Sequence, residues 1–245
     1  MTTKYFLLTK DNNTPLTEND KNQILFLNRG LTFILPEINL DYYNRCGLFE
    51  SGIMEWAKQL CSKNSVFLDI GAHTGTYALS YADYSQHVYA FEPQKMTFYA
   101  LCGSVALSNK HNISCFNIGL GSREQVGKAT LNIRSLDGGG SSICQIQGAE
   151  ILAQESAQIE TLDEFAKEHI LENQHIGFIK MDVEYNELYV LKGSQQVIKK
   201  HRPKILFEAN TDGILNRELF AFLEEELGYK VIPLTGTDNM FLAQL

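Results

Sequence analysis

A chain of 245 residues, 44% hydrophobic and 20% charged, is long enough to bury a substantial core and has the make-up of an ordinary globular protein. Its 21 basic residues against 29 acidic ones give a formal charge of −8, which argues against broad capture of nucleic acid or of an anionic membrane. No apolar run approaches the ~18 residues of a membrane span, and five cysteines without a C-x-x-C pair fit neither a thiolate metal site nor a disulfide framework, so a reducing cytoplasm is expected.

In chain order, residues 9–21 read as a polar loop, and residues 23–27 and 31–35 as two short strands joined by a turn at Arg29-Gly30. Residues 51–61 have helical spacing, with Ile53, Trp56, Ala57 and Leu60 on one face. Residues 66–70 form an apolar strand carrying Asp69 near its end. Gly71 then opens a tight turn, and Gly75 begins a helix over 76–81. A strand, a glycine turn and a helix start make a cradle for a nucleotide-like ligand. In the dinucleotide fingerprint the second glycine lets the backbone close on a pyrophosphate, and His73 stands at that position here. That departure favours a donor without a diphosphate, such as S-adenosylmethionine, and the Asp69 carboxylate suits its cationic sulfonium.

The next strand, 87–91, is followed by Glu92, 21 positions after Gly71. A nucleoside site expects an acid about 20 residues after the glycines, to accept from ribose hydroxyls; the alternative is a cap for the helix that follows Pro93. That helix covers 95–108, followed by a strand over 113–118, a turn at 119–121 and a strand over 128–134. The run Asp137-Gly138-Gly139-Gly140-Ser141-Ser142 is either a connector or a mobile lip on the substrate side. Thr161 caps a helix over 162–172, with Glu164 at the capping-box position. A dense strand over 176–183 ends in Asp182 and Glu184, one helix covers 186–200, and a strand over 203–207 ends in Glu208. A helix over 214–227 and a hairpin of 230–234 with 240–243 close the chain. Glu187 and Lys192 are assigned to a solvated helix face.

This alternation predicts an α/β fold, a doubly wound, Rossmann-like seven-stranded sheet with an antiparallel end. Residues 1–48 form a small N-terminal β/α extension and 49–245 the main domain. Four strands close in acid, at Asp69, Glu92, Asp182 and Glu208, and ligands of such sheets sit beyond the carboxyl ends of the strands.

Asp-Ile-Gly-Ala-His-Thr-Gly (69–75), Ala-Phe-Glu-Pro (90–93), Thr-Leu-Asp-Glu-Phe (161–165), Ile-Lys-Met-Asp-Val-Glu (179–184), Glu187 and Val-Leu-Lys-Gly (190–193) occur in an order that resembles FkbM-type methyltransferases. The resemblance covers roughly residues 45–210. It implies the class I S-adenosylmethionine-dependent fold and O-methylation of hydroxyls on sugars or natural products. By position it assigns the cofactor to Asp69, Gly71, Ala72, His73, Gly75 and Glu92, with Asp182 and Glu184 near the transferred methyl. Tyr185 stands where the family usually has glycine.

Methyl transfer to an alcohol needs alignment of the reacting atoms and a base for the hydroxyl proton. Asp182 is the first candidate base and Glu208 or Glu184 the second, with Lys180 orienting an acid or forming an ion pair. His73 is a further possible base or a loop residue beside the methionine moiety, and Glu50 is a candidate for closing the acceptor site. Clustered acids would also suit a hard metal ion; the reading adopted is metal-free. Two competitors remain: an RNA ribose 2′-O-methyltransferase built on Asp182, Lys192 and Glu208, and an inactive cofactor-binding partner subunit. The acidic balance counts against the first.

Overall fold

The computed structural model describes residues 3–10, 30–145, 148, 150–209, 214–237 and 239–245. Strand β1 (Tyr5–Lys10) pairs antiparallel with β2 (Leu31–Pro36). The hairpin partner of residues 31–35 is therefore segment 5–10, and Thr9 and Lys10 belong to a strand rather than a loop. Residues 23–27, expected as that partner, lie outside the described residues. Helix α1 (Leu40–Cys46) and the two-turn helix α2 (Ser51–Ala57) follow, and α2 runs on into a 3₁₀ turn. Helix α2 buries Met54 and Ala57 and leaves Trp56 40% exposed, so its inward face is rotated from the expected one. The Tyr81 hydroxyl donates to the Met54 carbonyl and anchors that face.

The alternation then runs β3 (Val66–Ile70), α3 (Thr76–Ala82), β4 (His87–Phe91), α4 (Lys95–Leu107) and β5 (Ile113–Phe116). A side sheet interrupts it, made of β6 (Gly119–Leu120), β7 (Gly127–Ile133) and β8 (Ala153–Glu160), in the order β6-β8-β7. The expected turn at 119–121 is thus partly a strand, because Gly119 and Leu120 pair with Ile159 and Glu160. Strand β8 is polar along most of its length and buries only Ala157 and Ile159, so it carries no clear strand signal.

Helix α5 (Leu162–His169) starts at Thr161, whose side chain accepts from the Glu164 amide. The Glu164 carboxylate pairs with Lys167 instead of reaching back to the cap. Next come β9 (Ile176–Met181), α6 (Glu187–Lys192), α7 (Gln195–His201), β10 (Lys204–Glu208), α8 (Ile214–Ala221), β11 (Lys230–Pro233) and β12 (Met240–Gln244). The single helix expected over 186–200 is two, broken at Gly193-Ser194. A Cβ on Gly193 would lie 2.0 Å from the Gly121 carbonyl oxygen, and the Gly193 carbonyl accepts from Asp163. Helix α8 ends in a π-helical turn, Phe222–Glu226.

The large sheet has the order β11-β12-β10-β9-β3-β4-β5, parallel except for pairings of β12. The chain winds outward from β3 to β5 and then crosses to β9 on the other side of β3, so the order reverses between β3 and β9. Alternation along β3 fills two cores. Val66, Leu68 and Ile70 join Phe91, Phe165 and Met181 on one face, while Phe67 joins Tyr81, Leu101 and Phe178 on the other. Each fully buried side chain of this size contributes about 1.5–3 kcal/mol. Strand β2 is fastened to the second core by Phe33 and Leu35, and its Thr32 and Ile34 amides donate to the Ser108 and Ser104 hydroxyls of α4. Among the described residues no helix is long and apolar enough to cross a membrane.

Candidate active site

A cavity of about 290 Å³ opens at the carboxyl ends of β3, β4 and β9, where the reversal of strand order leaves a crevice. The sheet supplies its floor. The segment 39–50 supplies one wall, through Asn39, Tyr43, Phe49 and Glu50, and the glycine-rich segment 137–141 another.

The turn after β3 is pressed against β9. Gly71 has φ +78°, and a Cβ there would fall 1.8 Å from the Asp182 carbonyl oxygen, so glycine is required both for the left-handed backbone and for the close approach. The Gly71 and Ala72 amides donate to the Phe91 carbonyl, and Asp182 donates to Ile70. Gly75 has φ +93° and faces Leu101. His73 also has positive φ, at 49°. Its backbone N–H donates to Glu92 Oε2 at 2.9 Å, and the Gln94 amide donates to Glu92 Oε1 at 2.8 Å. Glu92 is 7% exposed, and burial pushes its carboxyl up to about 7 against the pull of those two bonds.

The His73 ring reaches across the cavity edge, with Nε2 2.7 Å from the Asp137 carbonyl oxygen. A carbonyl only accepts, so the proton sits on Nε2 and Nδ1 faces the Thr74 hydroxyl as acceptor. Burial holds the imidazole below its ordinary range, which favours the neutral ring. Asp137 is fixed in turn by the Asn39 side-chain amide at 2.7 Å and the Gly139 amide at 3.1 Å. Ser141 donates to Gln94, and Gly138 packs on the Gln94 and Thr97 side chains. The glycine-rich run is a packed wall of the cavity.

Below and beside the turn lies a charged cluster. Asp69 is fully buried, and among the described residues its oxygens close no hydrogen bond of good geometry. Burial pushes it up to about 6, opposed by Lys180 and the Ala78 amide. Lys180 is 4% exposed and donates to Asp182 Oδ2 at 3.0 Å, with Tyr77's ring 5.1 Å from its Nζ. Burial alone would depress the ammonium, but Asp182, Asp69 and Glu50 outweigh it and hold Lys180 above its ordinary range. Glu50, itself in the left-handed region at φ 55°, accepts from the Tyr77 hydroxyl at 2.7 Å. Glu184 lines the cavity 3.4 Å from Arg134 and is pushed up to about 7 by burial and by Asp182.

Of the residues singled out in the sequence, Gly71, Ala72, His73, Glu92, Lys180, Asp182 and Glu184 line this cavity. Asp69 lies beneath it, and Gly75 starts α3 behind it. Glu208 ends β10 outside the lining, hydrogen-bonded to Asn239, and burial with Asp182, Glu184 and Glu50 nearby pushes it up to about 8. Lys192 is also outside, its Nζ over the Tyr189 ring. Glu187, expected on a solvated face, is 7% exposed and accepts from the Val183 amide. Loops 36–50 and 135–148 were expected to build an acceptor pocket, and Asn39, Tyr43 and Phe49 lie in the first of them; no motif singles out these three residues.

The family model described as the methyltransferase FkbM domain matches residues 69–231. No curated protein matches the chain. Among solved structures the chain is similar to methyltransferase FkbM from Methylobacillus flagellatus KT, at 18% identity and a TM-score of 0.52 over 80% of this chain and 46% of that one. It thus spans about half the length of that protein. It is also similar to a structure assigned as a caffeoyl-CoA O-methyltransferase from Staphylococcus aureus, at 12% identity and a TM-score of 0.50 over 84% of this chain and 90% of that one.

Proposed function

This chain belongs to the FkbM methyltransferase family, and we propose that it methylates a hydroxyl of a sugar, glycan or small natural product. Its fold is that of class I methyltransferases and its cofactor is S-adenosylmethionine. The residues fit that cofactor. Gly71 leaves the backbone open, Asp69 is a fully buried carboxylate beneath the turn whose oxygens close no hydrogen bond of good geometry among the described residues, and Glu92 presents a second acid at the ribose spacing. In this reading Asp69, Gly71, Ala72, His73, Gly75 and Glu92 hold the donor and Asp182 borders it. When bound, S-adenosylmethionine supplies an electrophilic methyl on a sulfonium that leaves as a neutral thioether.

The observation that carries the reading is that a single cavity has Glu92 on one wall and Asp182 and Glu184 on another. An acceptor hydroxyl held between those walls needs a base. Glu184, pushed up to about 7, is matched to neutral pH, where proton transfer is most efficient. Asp182 has Oδ2 engaged by Lys180, so in this reading the pair orients the acceptor oxygen while Glu184 takes its proton. Glu208, at the end of β10, adds a further acid near this cluster, its carboxyl raised by burial and by its acidic neighbours. Residues 49–245 act as the transferase unit and 1–48 as its extension, supplying Asn39 and Tyr43 to the acceptor wall. The unpaired cysteines support a cytoplasmic setting. The acidic lining opposes RNA as acceptor.

The test is calorimetric titration with S-adenosylmethionine, S-adenosylhomocysteine and NAD, comparing wild type with Glu92→Ala. The expected result is binding of both sulfur nucleosides, lost in the variant and absent for NAD. A folded protein that binds neither sulfur nucleoside overturns the reading.

A further inference from the structure

Building on the methyltransferase reading, we propose that the acceptor is a hydroxylated molecule carrying a protonated amine, seated between the Phe49 ring and the Glu50 carboxylate. The first observation is the charge of the lining. Glu50, Glu92, Asp137, Asp182 and Glu184 contribute carboxylates, and Lys180 is the cation among the lining residues. That ammonium is already committed, to Asp182 Oδ2, to the Gly71 carbonyl at 3.5 Å and to the face of Tyr77. Arg134, outside the lining, serves Glu184. The donor does not redress the balance. Its amino-acid tail carries one charge of each sign, leaving a single positive sulfonium, so carboxylates remain in excess. No uncommitted cation of the described lining is left to receive a phosphate or carboxylate on the acceptor.

The second observation is independent of charge. Phe49 lines the cavity yet is 40% exposed. Its ring is held rigid, stacked on Tyr42 at 4.1 Å and edge-on to Tyr43 at 5.1 Å. Tyr42 covers one face of the ring, and the part left exposed, next in the chain to a carboxylate, can serve an ammonium group through cation–π attraction and a charge-assisted hydrogen bond together. Glu50 is the neighbouring residue, and the Tyr77 hydroxyl fixes its Oε2. Both residues lie in the 39–50 wall, and Glu50, bonded to Tyr77 two residues after Gly75, stands where that wall meets the cofactor turn.

The experiment uses the full chain saturated with S-adenosylhomocysteine, and measures binding of glucosamine, glucose and glucose 6-phosphate. These share a ring and differ in charge. Saturation by S-adenosylhomocysteine is read first, and its failure would count against the methyltransferase reading rather than against this one. The expected order is glucosamine at least about tenfold tighter than glucose, from one cation–π and one charge-assisted contact, with glucose 6-phosphate weakest. Phe49→Ala and Glu50→Gln should each cut that preference to about threefold or less, while each variant still takes up S-adenosylhomocysteine and is thereby shown to be folded. Glucose or glucose 6-phosphate binding as tightly as glucosamine would overturn the proposal. So would a cofactor-loaded protein that does not bind glucosamine, or a preference unchanged in both variants.

Discussion

Asp69 and Lys180 occupy registered positions on the neighbouring parallel strands β3 and β9, and both lie on the sheet face that carries Phe67 and Phe178. Each is almost wholly buried. The ammonium bonds to Asp182 rather than to its registered partner, so one cation stabilises two carboxylates, one by contact and one through space.

Removing that cation should therefore be costly. Lys180→Met leaves Asp69 and Asp182 without their counter-charge, and breaking a buried ion pair by deleting one partner costs about 3–5 kcal/mol. Urea denaturation at pH 7.5 should show a loss of that order. The deficit should shrink at pH 5.5, where Asp69 takes up a proton. A loss under about 1 kcal/mol would show the cation to be dispensable to the cluster.

Gly71 should tolerate no side chain. Gly71→Ala adds the left-handed penalty of about 1–2 kcal/mol to a collision with the Asp182 backbone. Gly236 also has positive φ, at 86°, but a Cβ there would meet no atom within 4 Å. Gly236→Ala should thus show the backbone penalty alone. The comparison is made by denaturation of both variants, with S-adenosylhomocysteine binding lost only in Gly71→Ala.

Stability of the ligand-free protein should rise as pH falls from 8 to about 6. Burial raises Glu92 from 4.5 to about 7 and Asp69 from 3.8 to about 6 in the folded state. Within that window the folded chain binds more protons than the unfolded one. The contribution is complete below the unfolded values and is lost as pH rises through the folded ones. Melting temperature against pH is the measurement, and Glu92→Gln should flatten the upper part of the curve. A wild-type protein whose melting temperature climbs steadily from pH 6 to 8 would contradict the assignment.

Turnover should rise with pH through a midpoint of about 7 if Glu184 is the base. Glu184→Gln should lower kcat by about 10²–10⁴-fold, the usual contribution of a positioned base, with S-adenosylmethionine affinity retained. Asp182→Asn should weaken turnover without abolishing that pH profile. An unchanged midpoint in Glu184→Gln would move the role to Glu208.

The central architecture was legible because its signals are local. Strands buried on both faces read as apolar runs, as at Val66–Ile70 and Ile176–Met181. The glycine turn announces positive φ, and acids closing those runs fall at the carboxyl edge of a parallel sheet whatever lies between them. Where local signals were weak or misleading, the reading failed. Strand β8 buries too little to look like a strand, Trp56 sits on an outward face, and Gly193 breaks a helix only because Gly121 approaches it from another element.

The large sheet, the glycine turn after β3 and the acids at the strand ends could be read from the residues alone, since hydrophobic period, glycine conformation and chain spacing are properties of short segments. Packing settled the other relations. It set Lys180 among Asp69, Asp182 and Tyr77, turned Glu187 inward, tied His73 to Asp137, and brought Phe49 and Glu50 over the cavity. Most of those relations join residues far apart in the chain. They depend on strand register and on how helices pack across the sheet, and neither is written in any single stretch of residues.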